Sequence, residues 1–407
     1  MFYNQCGFVA IKVDFNKVNN MKKKVLFITP SLCLGGLEHS LINTLKVLNP
    51  EKYDMYLYTY RKDMTLFPLV PEYVCITNDI LDNRYNRKPI AILLWGISKI
   101  CGLFSVKQNE KWLIRRKKYT LHQQILQPSK YYRNTGFDVV VANAVGKSAE
   151  MATFVKAKKR FVFFRSSVDL HHEENIELFP KYDGIIAVSQ GVKDMLCSSY
   201  GNIEDKVYVL ENYVDAEQII TKANETLPNE TYLPANKLIL CTCGRFSEEK
   251  GFDLAVESAN ILKKKGIDFI WYFIGDGVLR KSLEKQISEY SLEENIVITG
   301  YVNNPFPYIK MCDIYIQPSY HESYGRTIKE AIILGKPIVS TDTVGAHTLL
   351  NNTEFGEIVD INANAIAQVI ISAVEKQKQG KYDKYDIKEN ELEKSEYISK
   401  LEKLLDS

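Results

Sequence analysis

Asp313 to Pro337 reads DIYIQPSYHESYGRTIKEAIILGKP. Ile314, Tyr315 and Ile316 form a short apolar run of the kind that fills a strand buried in a parallel sheet. Pro318 cannot donate to a strand ladder, so the strand ends before it. Gly325 opens onto TIKEAIILG, whose apolar residues recur at helical spacing and which stops at Gly335-Lys336-Pro337, a good helix C-terminus. The stretch is therefore strand, polar loop, helix. Such a loop sits at the carboxyl end of a strand and at the positive end of a helix, where α/β proteins bind anionic ligands. Two carboxylates, Glu322 and Glu330, flank this junction with seven residues between them. Glu330 also stands four residues after Arg326, so an ion pair on a solvated helix face is its alternative reading.

Upstream, the same order recurs. Leu238 to Cys243 reads as a strand, and GRFSEEKG (244–251) leads into the helix FDLAVESANILKKKG. Arg245 and Lys250 stand in this glycine-bounded loop at a helix N-terminus, a placement suited to gripping a diphosphate. Glu248 and Glu249 could instead neutralise them in a surface charge cluster. Phe269 to Ile274 is the next strand, closing in Gly275-Asp276-Gly277, and Ile296 to Gly300 with Tyr301-Val302 is a further strand and loop. Ile338 to Thr341 follows the opening stretch and leads to Gly345.

The first half has a similar plan. Val25 to Thr29 is a buried strand, then PSLCLGGLEHS carries Gly35-Gly36, and Leu37, Leu41, Leu45 and Leu48 follow at helical spacing. Glycines there let backbone N–H groups approach an anion, although an ordinary tight turn reads the same way. Neither GK[ST] nor GxGxxG is present, so this is neither a P-loop nor a dinucleotide fingerprint. Asp54–Tyr60, Phe137–Ala142, Arg160–Arg165 and Tyr182–Ser189 read as further strands.

A length of 407 residues suggests about two domains, and 45% hydrophobic with 25% charged residues is the balance of a globular protein. The eight cysteines are scattered with no CxxC pair, so reduced core thiols are expected, with Cys241 and Cys243 on one face of their strand. No basic leader precedes an apolar core at the start, and no run of 18 uncharged apolar residues occurs, so neither a signal peptide nor a transmembrane helix is expected. Residues 84–133 hold twelve Lys or Arg against one acid, Glu110, interleaved with Trp95, Phe104 and Trp112. That composition suits an interfacial helix pair on an anionic membrane, or a solvated basic helix over a core. Nucleic acid is disfavoured, since no nucleic-acid module accompanies the charges.

Six ordered features from Gly35 to Gly345 together resemble the retaining glycosyltransferases of family four. The features are the Gly35-Gly36 loop, GRxxxxKG at 244–251, the loops at Gly275 and Val302, Glu322-x7-Glu330 with Tyr324-Gly325 inside it, and Gly345. The resemblance implies the GT-B fold, an α/β architecture of two Rossmann-like parallel-sheet domains facing a cleft. On that plan residues 1–20 form a tail, 21–211 an acceptor domain, 212–380 a nucleotide-sugar domain, and 381–407 a helix returning toward the first domain. It implies a hexosyltransferase that moves a sugar from a nucleoside-diphosphate sugar to a saccharide, with a lipid-linked acceptor expected from the basic segment. Glu322, Arg245 and Lys250 take the catalytic roles. Gly35, Gly36, Gly275, Val302, Ser323, Tyr324, Gly325 and Glu330 join them around the donor. The family usually places a His in the loop after 160–165. Here Arg165 stands there, with His171 shortly after, and both are acceptor-side candidates. Where many relatives carry a Glu after Gly345, this chain has Ala346-His347-Thr348. No cofactor and no divalent metal are expected. The expected setting is cytoplasmic, peripheral at the inner membrane face, in capsule or polysaccharide assembly. A sugar-nucleotide epimerase on the same fold and a non-catalytic sugar-nucleotide-binding subunit are the alternatives.

Overall fold

The computed structural model describes residues 22–78, 93, 97, 122–168, 172–228, 231, 236–378, 382 and 385–407. The tail at 1–20, His171 and most of the basic segment 84–133 lie outside them. The chain divides into two compact units, one of Met1–Phe163 with His171–Ile185 and one of Phe164–Leu170 with Ile186–Ser407.

Thirteen strands are present among the described residues, in two sheets. The first holds β1 (Lys23–Thr29), β2 (Tyr53–Thr59), β3 (Cys75–Asn78), β4 (Phe137–Ala142), β5 (Ala157–Phe164), β6 (Gly184–Ala187) and β7 (Val207–Val209), in the order β3-β2-β1-β4-β5-β6-β7. The second holds β8 (Leu238–Cys243), β9 (Phe269–Ile274), β10 (Ile296–Gly300), β11 (Ile314–Gln317), β12 (Ile338–Thr341) and β13 (Gly356–Val359), in the order β10-β9-β8-β11-β12-β13. Its pairings are all parallel. The helices that bear on function are α1 (Gly36–Val47), α2 (Lys147–Phe154), α3 (Gln190–Tyr200), α4 (Phe252–Lys264), α5 (Arg326–Ile333), α6 (Val344–Leu350) and α7 (Ile387–Asp406). The expected pair of Rossmann-like parallel sheets is thus present.

Both strand orders reverse direction once. In the second sheet the chain runs β8, β9, β10 to one side, then returns to lay β11 against the other side of β8. In the first it runs β1, β2, β3 and returns with β4 against β1. At such a switch point the loops leaving the two adjacent strands diverge, and a crevice opens beyond their carboxyl ends.

β9 shows how the second sheet is filled. All six residues of FIWYFI are buried. Phe269, Trp271 and Phe273 enter one apolar cluster with Phe252 and Leu262 of α4, whereas Ile270, Tyr272 and Ile274 enter a cluster on the opposite face with Ile328 and Ile332 of α5. Side chains alternate across a strand, so a continuous apolar run is what a sheet covered on both faces requires. Cys241 joins that second cluster with Cys243 packed against it, as expected of same-face neighbours. The described cysteines are free thiols.

Trp271 is fully buried, and its indole N–H donates to Thr242 Oγ1 at 3.0 Å. Trp271→Ala is expected to lower stability by about 3–5 kcal/mol through the cavity and the stranded hydroxyl, measured by urea denaturation with circular dichroism. A loss below about 0.5 kcal/mol, the range of a surface substitution, would contradict that burial.

Candidate functional site

The loops after β8 and β11 leave the two strands at the switch point of the second sheet. Each is shaped by a glycine in the left-handed region. Gly251, at φ +62°, ends the first loop and opens α4, and a Cβ there would lie 2.0 Å from the Pro318 carbonyl. Gly325, at φ +81°, ends the second loop and opens α5. A side chain at 251 would push the two loops apart, so the glycine allows them to touch. The contact is reinforced where the Tyr320 and His321 amides donate to the Glu249 carbonyl at 2.9 and 3.2 Å.

The result is an ion pair across the loops. Lys250 Nζ donates to Glu322 Oε2 at 2.7 Å, with 24% and 12% of the two side chains exposed. Glu322 is held from behind by α6: the Gly345 amide donates to its carbonyl at 2.8 Å, and a Cβ at 345 would lie 2.8 Å from Glu322 Cγ. Glu330, one turn into α5, is buried and accepts from Arg326 Nε at 2.8 Å. The i, i+4 pair therefore exists, but on a buried face rather than a solvated one. The charges of Glu330 and Lys250 both reach the buried Cys243 thiol, whose pKa is pushed up to about 12, chiefly by burial and then by Glu330.

Arg245 is exposed, and its guanidinium makes no hydrogen bond or ion pair among the described residues. Its charge and that of Lys250 act on Glu249, whose Oε1 accepts from Ser247 Oγ at 2.6 Å. Burial raises the pKa of that carboxyl, but the hydrogen bonds and the two cations outweigh it and hold the group below its ordinary range.

Gly275, at φ +145°, would place a Cβ 1.9 Å from the Gly244 carbonyl, and its amide donates to Gly300 O at 3.0 Å. The ends of β8, β9 and β10 are thereby stacked backbone on backbone. Val302, just beyond, lines a cavity of about 290 Å³ with Leu227, Asn303 and Tyr308. Gly35 and Gly36 cap the start of α1 beyond β1, in the other unit.

Ser323 is anchored on both sides. Its hydroxyl donates to the Arg165 carbonyl at 2.8 Å, and its own carbonyl accepts from Ser189 Oγ at 2.8 Å. Arg165 in turn donates to Asn212 Oδ1 at 2.6 Å. Arg165 thus reaches the Glu322 loop, while His171 lies outside the described residues. Tyr324 is buried, and burial followed by the neighbouring acids Glu211 and Glu393 raises its phenol well above its ordinary value.

Sequence reading missed the polar scaffold below this loop. Gln317 Oε1 accepts from Thr327 Oγ1 at 2.8 Å and from the Tyr315 hydroxyl at 3.0 Å, and Gln317 Nε2 donates to Ser319 Oγ at 2.7 Å. Thr341 Oγ1 donates to the Ser319 carbonyl at 2.5 Å. All of Gln317, Ser319 and Thr341 are buried. The signal was a Gln at the end of an apolar strand, which must find partners when buried.

Residues 223–390 match the profile of the family described as "Glycosyl transferases group 1". An N-acetylgalactosamine-N,N'-diacetylbacillosaminyl-diphospho-undecaprenol 4-alpha-N-acetylgalactosaminyltransferase of Campylobacter jejuni is 28% identical over 269 residues, covering 62% of this chain and 71% of that protein. The lipopolysaccharide core biosynthesis glycosyltransferase LpsE of Rhizobium meliloti is 25% identical over 219 residues, covering 48% of this chain and 62% of that protein. Among solved structures, Anabaena Alr3699/HepE in complex with UDP and glucose superposes with a TM-score of 0.67 at 16% identity, covering 95% of this chain and all of that one. The fold is that of the GT-B glycosyltransferases.

Where many relatives of the resembling family carry a Glu, His347 holds the first turns of α6. Its Nδ1 lies 2.9 Å from Asn351 Oδ1 and its Nε2 2.7 Å from Asp342 Oδ1. Two oxygen acceptors suit the doubly protonated ring. The pKa is accordingly raised, first by Asn351 and then by Asp342. A raised folded-state pKa gives stability that is complete below the unfolded value of about 6.5 and is lost as pH rises through the folded value. His347→Gln is expected to lower Tm more at pH 5.5 than at pH 8.5; an equal or reversed difference would exclude the charged ring.

Proposed function

We propose that this chain, a glycosyltransferase by its matched domain and relatives, moves a sugar from a nucleoside-diphosphate sugar to a saccharide acceptor with retention of anomeric configuration. The observation that carries the reading is the Lys250–Glu322 pair at the switch point, beside the buried Glu330 and the N-terminus of α5. A diphosphate attached to a sugar offers a partner to each member of that pair. Its oxygens accept from Lys250, and the sugar hydroxyls donate to the released Glu322 carboxylate, which when ionised is acceptor-only. Stripping one partner from a buried pair costs about 3–5 kcal/mol, but here both partners are replaced rather than removed.

Breaking the anomeric C–O bond leaves negative charge on the diphosphate and positive charge on the sugar. Lys250, Arg245 and the first N–H groups of α5 supply fixed positive charge on the phosphate side. Glu322, on the sugar side, steadies the developing cation and orients its hydroxyls. Glu330 takes the ribose hydroxyls, and Val302 and Gly275 flank the nucleotide base. The acceptor hydroxyl attacks on the face the diphosphate leaves and passes its proton to the leaving phosphate, so neither a protein nucleophile nor a separate base is required, and the fixed positive charges take the place of a divalent metal. Arg165 approaches this loop through Ser323 and stands as an acceptor-side residue.

The relatives act in polysaccharide and lipid-linked saccharide synthesis by their names, and the acceptor proposed for this chain is of that class. Among the described residues no helix is long and apolar enough to cross a membrane. The twelve basic residues of 84–133 support peripheral contact with an anionic inner membrane face.

Nucleoside-diphosphate release should be measured over UDP-, GDP- and ADP-sugars with membrane extract as acceptor. Release from one donor is expected to fall about 10²–10³-fold in Lys250→Ala and to be lost in Glu330→Ala. Turnover unaffected by either change would remove these residues from the reaction, and a product of inverted anomeric configuration by NMR would remove retention. Reversal of Arg115, Arg116, Lys117 and Lys118 to Glu is expected to release the protein from anionic vesicles in flotation; unchanged flotation would remove the membrane contact.

A further inference from the structure

The switch point of the first sheet carries a second set of charges. Tyr60 and Arg61 follow β2 directly, and Gly146-Lys147 opens α2 shortly after β4. These strands flank β1, so their loops emerge at one edge. The loops are tied together. The Tyr60 and Arg61 amides donate to the Pro30 carbonyl at 3.1 and 2.8 Å, and the buried Tyr60 hydroxyl lies 3.0 Å from Ser148 Oγ. Lys147 Nζ stands 5.9 Å from the Tyr60 ring centroid and donates to Gln124 Oε1 at 3.3 Å.

Lys147 and Arg61 lie close enough to repel. Burial and then the Arg61 charge depress the Lys147 pKa, whereas the one acid acting on it is Glu150, three residues along α2. The Glu150 pKa is itself raised, by burial and then by Glu174. Asp63, the nearest acid after Arg61 in sequence, spends its Oδ1 on Thr65. Arg61 is exposed and forms no ion pair among the described residues. Lys147 stands beside the ring of Tyr60, the residue before Arg61, and has a neutral glutamine as its acceptor, so both cations are left for an anion to pair. Lys147 is the first residue of α2, whose opening amides have no side-chain cap.

We propose that Arg61 and Lys147 form an anion site for the phosphate or diphosphate of a phosphorylated saccharide acceptor. The guanidinium supplies a planar fork, the ammonium a point charge, and α2 its free N–H groups. Anion binding restores to Lys147 the opposite charge that its surroundings withhold. The identity of the ligand as an acceptor rests on the glycosyl-transfer reading; the existence of the site does not.

Inorganic pyrophosphate titrated into the full chain by calorimetry tests it. Two sites are expected in the native protein, one lost in Lys250→Ala and the other weakened about tenfold or more in Arg61→Gln. Arg61 is exposed, so this variant keeps the fold, and Lys147→Arg, which preserves charge, should retain both sites. Native stoichiometry and affinity in Arg61→Gln together with Lys147→Gln would overturn the proposal. In transfer assays, Arg61→Gln should raise the KM for a diphosphate-linked saccharide while leaving the donor KM and that of a phosphate-free saccharide unchanged; a rise in donor KM instead would also overturn it. Competition by a soluble sugar diphosphate would assign the anion to a free phosphosaccharide, and competition only by vesicles carrying a polyprenyl diphosphate saccharide would assign it to a lipid headgroup. If no donor supports turnover, the pyrophosphate count still decides the site, so the two readings fail separately.

Discussion

Lys250 and Glu322 stand 72 residues apart in the chain and 2.7 Å apart in space, and most of the second unit's site follows from that contact. It exists because β8 and β11 are neighbours whose following loops leave in different directions. Beyond the strand ends the backbone has no ladder partners, so the loops must satisfy their polar groups by other means. Glu249's carbonyl takes two amides from the facing loop, and the Gln317–Ser319–Thr341 network satisfies the floor. The ion pair then bridges loops already fixed from below, at little further cost in side-chain freedom.

Three close approaches make this arrangement intolerant of side chains. At 251 a Cβ meets the Pro318 carbonyl, at 275 it meets the Gly244 carbonyl, and at 345 it meets Glu322 itself. The first two contacts are with backbone and could be relieved only by moving a strand end. The same glycines spend their amides inside the unit, Gly275 on the Gly300 carbonyl and Gly345 on the Glu322 carbonyl, so they fix the loops as well as letting them meet.

Both sheets reverse their strand order once, and both gather positive charge at the reversal. In the second sheet Lys250 is already paired, and a ligand must exchange with Glu322. In the first sheet neither Lys147 nor Arg61 has an ion-pair partner among the described residues, and Lys147 donates to the neutral Gln124 instead. The two proposed sites would therefore take an anion by different means, one by exchange of partners and one by pairing cations that have none. The ends of the second sheet are further tied by α7, where Glu393 holds the buried Lys329 of α5 at 2.5 Å and Asn390 bonds the backbone at Val214 and Ala216.

The amino-acid sequence alone determined the strands, because a run such as β9 is so apolar that only a sheet covered on both faces can hold it. It also determined the glycine-bounded loops, and it marked Glu322, Glu330, Arg245 and Lys250 by residue type at the helix starts. Only the tertiary structure decided what those groups touch. Glu330 read as a solvated or a ligand-binding carboxylate, and the fold buried it against Arg326. Lys250 read as a diphosphate-gripping cation or as one neutralised by Glu248 and Glu249, and the fold gave it Glu322. Ser189 and Gln317 carried no motif, and Arg61 with Lys147 none either, because their partners come from distant segments. Periodicity is a local property set by what each residue needs to bury. An ion pair or a hydrogen bond between loops depends on which strands become neighbours, and that is fixed only when the sheet closes its order.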